Sequence, residues 1–188
     1  PIRFFEPSMD QQLRDKRALQ QDLRTAIARD EIELHYQPQA LISGEITGFE
    51  ALVRWHHPRQ GLVPPSVFVP LAEESGIIGA LGEWVLRTAC REAASWPQPL
   101  QIAVNLSPLQ FQHVDFYAWL DDVLNETRLD AGLLELELTE RMVMSGGDAS
   151  RRLLRRIRQR GVRLALDDFG TGYCSLSYLK HFPIDTLK

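Results

Sequence analysis

The feature that most limits the fold is a regular alternation, from residue 31 onward, of short apolar segments with longer amphipathic ones. Apolar segments typical of β-strands lie at 32–37, 46–55, 101–106, 133–139, 162–167 and 184–188, and helical patterns lie at 67–75, 81–96, 116–128, 148–160 and 175–182. Repeated strand–helix units predict a parallel sheet covered by helices, which is the α/β class. An open doubly wound sheet and a (β/α) barrel both satisfy this pattern.

Two segments depart from the repeat. The turn Ser43-Gly44-Glu45 predicts an antiparallel hairpin between the first two strands. The Pro- and Gly-rich segment at 56–66 predicts a loop.

The N-terminal segment has a different pattern. Residues 9–31 predict an amphipathic helix with an apolar stripe of Leu13, Leu19, Leu23, Ala26 and Ile27. Because the lead-in Phe4-Phe5-Glu6-Pro7 is unlike the start of an independent fold, we interpret residues 1–22 as a helical connector from an upstream domain and 23–188 as the domain itself. A helix that caps this same domain is an equally good interpretation, and both can hold.

Composition excludes several classes of protein. The 188 residues suffice for one domain, and 21 basic against 25 acidic residues give a net charge of −4, without the basic excess of a DNA- or RNA-binding protein. Six arginines between 151 and 160 are interpreted as the solvated side of a helix whose buried stripe is Leu153, Leu154 and Ile157. Cys90 and Cys174 fit neither a disulfide scaffold nor a CxxC metal site, which favours a cytoplasmic location, either of the whole protein or of part of a membrane-anchored one.

Polar side chains collect where the predicted strands end. They are Asn105, Glu137, Glu140, Asp167, Asp168 and Lys188. Because parallel strands present their carboxyl ends at one functional face, we expect these side chains to converge. Oxygen ligands from Glu, Asn and Asp suit Mg²⁺, Mn²⁺ or Ca²⁺ rather than zinc, and the adjacent Asp167 and Asp168 suit a bridge between two ions.

Each residue also has a structural interpretation, which the segments alone leave open. Glu135 and Glu137 can lie on the wet face of an edge strand. The Asp167-Asp168 pair can form a solvated turn or a helix N-cap. Arg54 can bind phosphate or remain in solvent. Glu50, inside an apolar strand, requires either a solvated face or a compensating cation.

Several motifs in a fixed order carry a family resemblance. They are Tyr36-Gln37-Pro38, Glu50-Ala51-Leu52-Val53-Arg54-Trp55, Asn105-Leu106-Ser107, Glu137-Leu138-Thr139-Glu140, Asp167-Asp168-Phe169-Gly170-Thr171-Gly172 and Pro183-Ile184-Asp185-Thr186-Leu187-Lys188. From about Leu23 to Lys188 the chain resembles the EAL domain, a family of bacterial phosphodiesterases that act on the second messenger cyclic di-GMP. The opening residues 3–10 are similar to the connector that often follows a GGDEF domain, so an upstream GGDEF or sensory domain is expected.

The resemblance implies a modified TIM barrel with an antiparallel first strand, and metal-dependent hydrolysis of cyclic di-GMP to linear pGpG by a homodimer. It implies that Glu50, Asn105, Glu137 and Asp167 hold one Mg²⁺ or Mn²⁺ ion and that Asp167 and Asp168 reach a second. Lys188, Asp168 and Glu50 would then be catalytic, Gln37, Leu52 and Arg54 would contact the nucleotide, and Glu140 would steady the loop after Asp168. The alternative is a degenerate member that only binds cyclic di-GMP as a receptor; a purely structural or interaction module is a third interpretation.

Two features depart from the family pattern. Cys174 stands where the family commonly has a small hydroxyl residue. The pattern also continues beyond the position of Lys188, through strands that carry a further glutamate of the second metal site. We therefore expect that the last strands of the barrel are missing from this chain.

Overall fold

The computed structural model describes residues 7–113, 115–145, 147–167 and 182–188. Asp168, Cys174 and the predicted helix at 175–182 up to residue 181 lie outside these ranges. The chain divides into two compact units, Pro1–Glu33 with Val53–Leu81, and Leu34–Leu52 with Gly82–Lys188. Within the described ranges, no helix combines the length and the apolar character needed to cross a bilayer.

Strands and helices alternate along most of the described chain. The strands are β1 (Ile32–Ala40), β2 (Ile46–His57), β3 (Gly61–Val63), β4 (Gln101–Asn105), β5 (Leu134–Thr139), β6 (Arg163–Asp167) and β7 (Thr186–Leu187). The helices are α1 (Pro7–Ala26), α2 (Pro65–Ser75), α3 (Ile78–Ser95), α4 (Pro108–Phe111), α5 (Phe116–Thr127), α6 (Glu140–Ser145) and α7 (Gly147–Gln159), with a 3₁₀ turn at Ala131–Leu133. The predicted α/β class is confirmed.

The second unit is built on a sheet in which β1, β2, β4, β5, β6 and β7 are neighbours in that order. The pairs from β2 through β7 along this order are parallel. The predicted hairpin between β1 and β2 is confirmed, since the N–H of Leu41 donates to the carbonyl of Glu45 at 2.9 Å. The parallel strands therefore bring their carboxyl ends to the same edge of the sheet.

The central strand β5 shows how the core is divided. Leu134, Leu136 and Leu138 are fully buried, and Glu135 and Glu137 are buried as well. Side chains alternate between the two faces of a strand, so the leucines occupy one face and the acids the other. Because β5 pairs with both β4 and β6, the interpretation of Glu135 and Glu137 as the wet face of an edge strand is wrong.

In the first unit, helix α1 packs against α2 and buries Leu19, Leu23 and Ala26 of the predicted stripe. The helix ends at Ala26, whereas the amphipathic pattern predicted an end at residue 31. The physical reason is a tight turn before β1, in which Asp30 has a positive φ of 54° and leaves the helical conformation.

The segment at 56–66, predicted as a loop, contains β3. This strand pairs antiparallel with the end of β2, and Trp55 lies opposite Val63.

His57, also in the first unit, is a buried histidine whose two ring nitrogens are both used. Its Nδ1 accepts hydrogen bonds from the backbone N–H groups of Arg59 and Gln60, both at 3.1 Å. Its Nε2 lies 3.0 Å from a carboxylate oxygen of Asp22. Because Nδ1 accepts, Nε2 carries the proton and donates it to Asp22, which ties α1 to the turn after β2.

The glycine at position 48 fixes the approach of β2 to β4. A Cβ at this position would stand 2.5 Å from the carbonyl oxygen and 2.8 Å from the Cβ of Gln101, its register partner. Gly48→Ala is therefore expected to lower the free energy of unfolding by about 1–3 kcal/mol, because the two backbones must move apart. Chemical denaturation of both proteins measures the change.

Gly132→Ala is the matched control for Gly48→Ala. The nearest atom to a Cβ at Gly132 is a carboxylate oxygen of Asp130 at 3.4 Å, an ordinary contact. We expect a change within about 0.5 kcal/mol, typical of a substitution that meets no special feature. Equal effects of the two substitutions would contradict the steric explanation for Gly48.

Candidate active site

Strand register brings all four predicted ligands of the first ion to one face of the sheet. Glu50 lies opposite Ala103, and Asn105, two residues farther along the same strand as Ala103, lies opposite Glu137. Thr139, two residues beyond Glu137, lies opposite Asp167. Because residues two apart share a face, all these side chains, including that of Asp167, are on the same side of the sheet.

Asn105 and Glu50 are in direct contact. The amide nitrogen of Asn105 donates to a carboxylate oxygen of Glu50 at 2.8 Å. Asn105 is exposed at the end of β4, and Glu50 is half-buried in the middle of β2. With its nitrogen committed to Glu50, the amide of Asn105 keeps its oxygen as the remaining acceptor.

Glu137 is the most deeply buried of the predicted ligands, with 2% of its surface exposed. Its carboxylate contacts the ammonium of Lys188, which also lies 2.9 Å from a carboxylate oxygen of Glu135. The backbone N–H of Lys188 donates to the carbonyl of Leu166 at 2.9 Å, so the lysine is fixed alongside β6. The ammonium of Lys188 therefore compensates the charges of both buried acids of β5, Glu135 and Glu137.

The charges at this face influence one another. Burial raises the pKa of the Glu137 carboxyl above its ordinary value; the hydrogen bond and charge of Lys188 lower it, and the charges of Glu50 and Asp167 raise it. Burial alone would lower the pKa of Lys188, but its hydrogen bonds to Glu135 and Glu137 and their charges raise it above the ordinary value. Glu137 is thus a carboxylate that further positive charge would stabilise.

The donor set fits the divalent cation that the resemblance implies. Glu50, Glu137 and Asp167 supply carboxylates, the charges of Glu50 and Asp167 both act on Glu137, and Asn105 supplies an amide oxygen. Mg²⁺ and Mn²⁺ prefer oxygen ligands of these two kinds. A cation among these side chains would offset a repulsion that Lys188 offsets only in part.

The other predicted site residues are distributed as follows. Gln37 is exposed on β1, and Leu52 is half-buried on β2. Arg54 belongs to the first unit, where its guanidinium donates to the carbonyl of Val53 at 2.9 Å. Glu140 is buried as the first residue of α6, directly after β5. Asp168 lies outside the described residues, so its role stays a prediction, as do the nucleotide contacts.

Two residues beside Glu137 were not assigned to the site from the sequence. Glu135 shares Lys188 with Glu137. Gln39 lies with its amide nitrogen 3.5 Å from a carboxylate oxygen of Glu137. The signal that identifies both is the two-residue strand period, since Gln39 follows Gln37 and Glu135 precedes Glu137 by one repeat.

Several curated signalling proteins are similar to this chain in sequence. An uncharacterized signaling protein of Caulobacter vibrioides is 50% identical over 187 residues, which cover 99% of this chain and 23% of that protein. The bifunctional diguanylate cyclase/cyclic di-GMP phosphodiesterase MucR of Pseudomonas aeruginosa is 44% identical over 190 residues, which cover 98% of this chain and 28% of MucR. The chain thus spans about a quarter of the length of these relatives.

A solved structure and a family sequence model both agree with the sequence similarity to these proteins. The solved structure of the PaMucR phosphodiesterase in complex with c-di-GMP matches with a TM-score of 0.87 at 44% identity, covering 90% of this chain and 71% of that one. The sequence model of the EAL domain matches residues 20–188. Since that match includes most of the residues, the chain belongs to the EAL domain family.

Proposed function

We propose that this chain carries the catalytic face of a divalent-metal-dependent phosphodiesterase that hydrolyses cyclic di-GMP to linear pGpG. The observation that carries the proposal is the cluster of Glu50, Asn105, Glu137 and Asp167 beside the ammonium of Lys188. It is supported by the names of relatives, among them MucR and the Escherichia coli cyclic di-GMP phosphodiesterase PdeR, 39% identical over 187 residues.

In this proposal the metal ligands are those expected from the family. Glu50, Asn105, Glu137 and Asp167 would hold one Mg²⁺ or Mn²⁺ ion, and Asp167 with Asp168 would reach a second. Such ions lower the pKa of water and neutralise charge on phosphoryl oxygens. The hydrogen bond from Asn105 to Glu50 holds the two side chains in a fixed relative orientation. These two side chains would therefore lose little conformational freedom when they bind a metal ion.

The remaining residues would act on the reacting phosphate, contact the nucleotide or support a neighbouring segment. Lys188 presents a positive charge next to Glu137, where it can donate a hydrogen bond to the attacking water or to a developing negative charge on the phosphate. Gln37, Leu52 and Arg54 would contact the nucleotide. Glu140 would steady the segment that follows Asp168.

Further parts of the proposal concern the whole protein. Because MucR is named a bifunctional cyclase and phosphodiesterase and this chain covers 28% of it, we infer an upstream GGDEF or sensory domain joined through residues 1–22. A homodimer and a cytoplasmic location complete the proposal. Cross-linking and size determination of the purified full-length protein test the dimer.

The activity is tested with purified full-length protein, cyclic di-GMP and either Mg²⁺ or Mn²⁺, with the products separated by chromatography. We expect linear pGpG to accumulate, to stop when the metal is removed by EDTA, and to resume when it is restored. The Glu50→Ala variant is expected to be inactive under all three conditions. Calorimetric binding of cyclic di-GMP by the folded protein, without turnover in either metal, would contradict the proposal and favour the receptor alternative.

A further inference from the structure

Glu135 is a buried carboxylate that the proposed reaction does not use. Its exposed surface is 3%, and it lies on the central strand β5, one strand repeat before Glu137. A carboxylate so removed from water is strongly destabilising unless cations and hydrogen-bond donors compensate it. Its presence therefore requires partners, and the identity of those partners indicates its role.

The partners of Glu135 come from the β6 and β7 side of the strand. The ammonium of Lys188 lies 2.9 Å from one carboxylate oxygen. The hydroxyl of Thr186 donates to the other oxygen at 3.4 Å, and the guanidinium of Arg163 lies 3.6 Å from that same oxygen. On the β4 side the register partner is Ala103, whose side chain has no polar atom. The closest charged partner of Glu135 is thus the lysine that the proposed function places at the reacting phosphate.

Lys188 needs such a partner if it is to act at a defined position. Its ammonium ends a flexible four-carbon chain, whose conformational freedom must be restrained for a catalytic contact. Glu137 also contacts this ammonium, but in the proposed function Glu137 shares its oxygens with a divalent cation, which weakens it as a hydrogen-bond acceptor. Glu135 is outside the proposed ligand set and keeps an oxygen for Lys188.

We propose that Glu135 is a positioning residue that holds the ammonium of Lys188 beside Glu137 without binding metal itself. The inference rests on the proposed phosphodiesterase function. It differs from a merely structural role, in which Glu135 would only compensate Arg163 and the orientation of Lys188 would not depend on it.

The kinetic test is Glu135→Gln in the full-length protein with Mg²⁺ or Mn²⁺. We expect kcat for cyclic di-GMP to fall by about 10- to 100-fold, as for other residues that orient a catalytic group, with KM changed less than threefold. In the Lys188→Ala background the same substitution is expected to have no further effect, because Glu135 acts through Lys188. A full additional loss in the double variant, or an unchanged kcat in the single variant, would overturn the inference.

Two measurements separate this inference from the proposed function. The affinity for Mn²⁺, measured by calorimetry, is expected to be within threefold of wild type in Glu135→Gln, since Glu135 is not a ligand; loss of Mn²⁺ binding would overturn the inference. The ¹⁵N-ammonium signal of Lys188, assigned by its disappearance in Lys188→Arg, is expected to show hydrogen exchange at least tenfold faster in Glu135→Gln with Mg²⁺ present. An unchanged signal would overturn the inference, whether or not the protein hydrolyses cyclic di-GMP.

The matched controls address folding and charge. Glu45→Gln makes the same chemical change at an exposed position and is expected to match wild type in every measurement. If Glu135→Gln does not fold, Glu135→Asp keeps the charge that compensates Arg163 but withdraws it by one methylene, and the same kinetic and spectroscopic effects are expected. A folded wild type without hydrolysis contradicts the phosphodiesterase proposal, and the ammonium signal still decides the role of Glu135.

Discussion

Replacing Glu137 with glutamine is expected to lower the turnover of cyclic di-GMP by about a thousandfold, which corresponds to a loss of about 4 kcal/mol in transition-state stabilisation. The substitution keeps the size of a side chain that is 2% exposed and removes its charge. In the proposed site this charge is a metal ligand, and metal ions supply several kcal/mol of charge stabilisation. Initial rates at saturating substrate, over a range of Mg²⁺ and Mn²⁺ concentrations, measure the effect.

The same variant has an expected effect on stability. Since burial and the charges of Glu50 and Asp167 disfavour ionised Glu137, a divalent cation is expected to raise the melting temperature of wild type, and Glu137→Gln is expected to lose most of that increase. Glu45→Gln, which is exposed, serves as the control and should retain it. If Glu137→Gln kept more than a tenth of the wild-type activity together with the metal-induced shift, Glu137 would not be a ligand.

Replacing Lys188 with alanine is expected to lower kcat by about a hundred- to a thousandfold, the range found when a donor to developing charge is removed. The change in KM should be much smaller, because the ammonium acts on charge that develops during the reaction. Lys188→Arg is expected to restore little of the activity, since a planar guanidinium does not replace an ammonium at a site defined by Glu135 and Glu137. Steady-state kinetics of the three proteins give the comparison.

Lys16→Ala is the control for the lysine substitutions. Lys16 forms an ion pair with Glu74 in the first unit, and both side chains are about half-exposed. Such surface pairs contribute little to stability, so activity and melting temperature are expected to match wild type. A loss of kcat in Lys16→Ala as large as in Lys188→Ala would mean that the kinetic effect reflects folding.

The sequence was sufficient where a pattern is local and repeated. The α/β class, the β1–β2 hairpin and the strands that end near Asn105, Glu137 and Asp167 follow from periodicity and turn residues. The burial of Leu154 and Ile157 on α7, with exposed arginines such as Arg155, also agrees with the prediction, whereas Leu153 of the predicted stripe is only half-buried. Each of these features is determined by residues that are close together in the sequence.

The sequence was insufficient where distant residues decide the structure. Strand β3 has three residues, too few for a recognisable pattern, and forms because β2 offers it a partner. Whether Glu135 faced water or the interior depended on β5 being central, which is a property of the sheet. Its partner Lys188 lies far away in the sequence, so spacing gave no indication of their contact. The end of α1 at Ala26 depended on a single backbone conformation at Asp30.

The division of β5 into leucines and glutamates has a consequence for how this segment can vary between related proteins. Replacing one leucine with another aliphatic residue keeps the alternation of side chains between the two faces. Deletion or insertion of a single residue inside the strand instead shifts every later side chain to the opposite face. A length change of one residue before Glu135 would carry both glutamates into the apolar layer and bring leucines to Lys188. We therefore expect the length of this strand to be under stronger selection than the identity of its aliphatic residues.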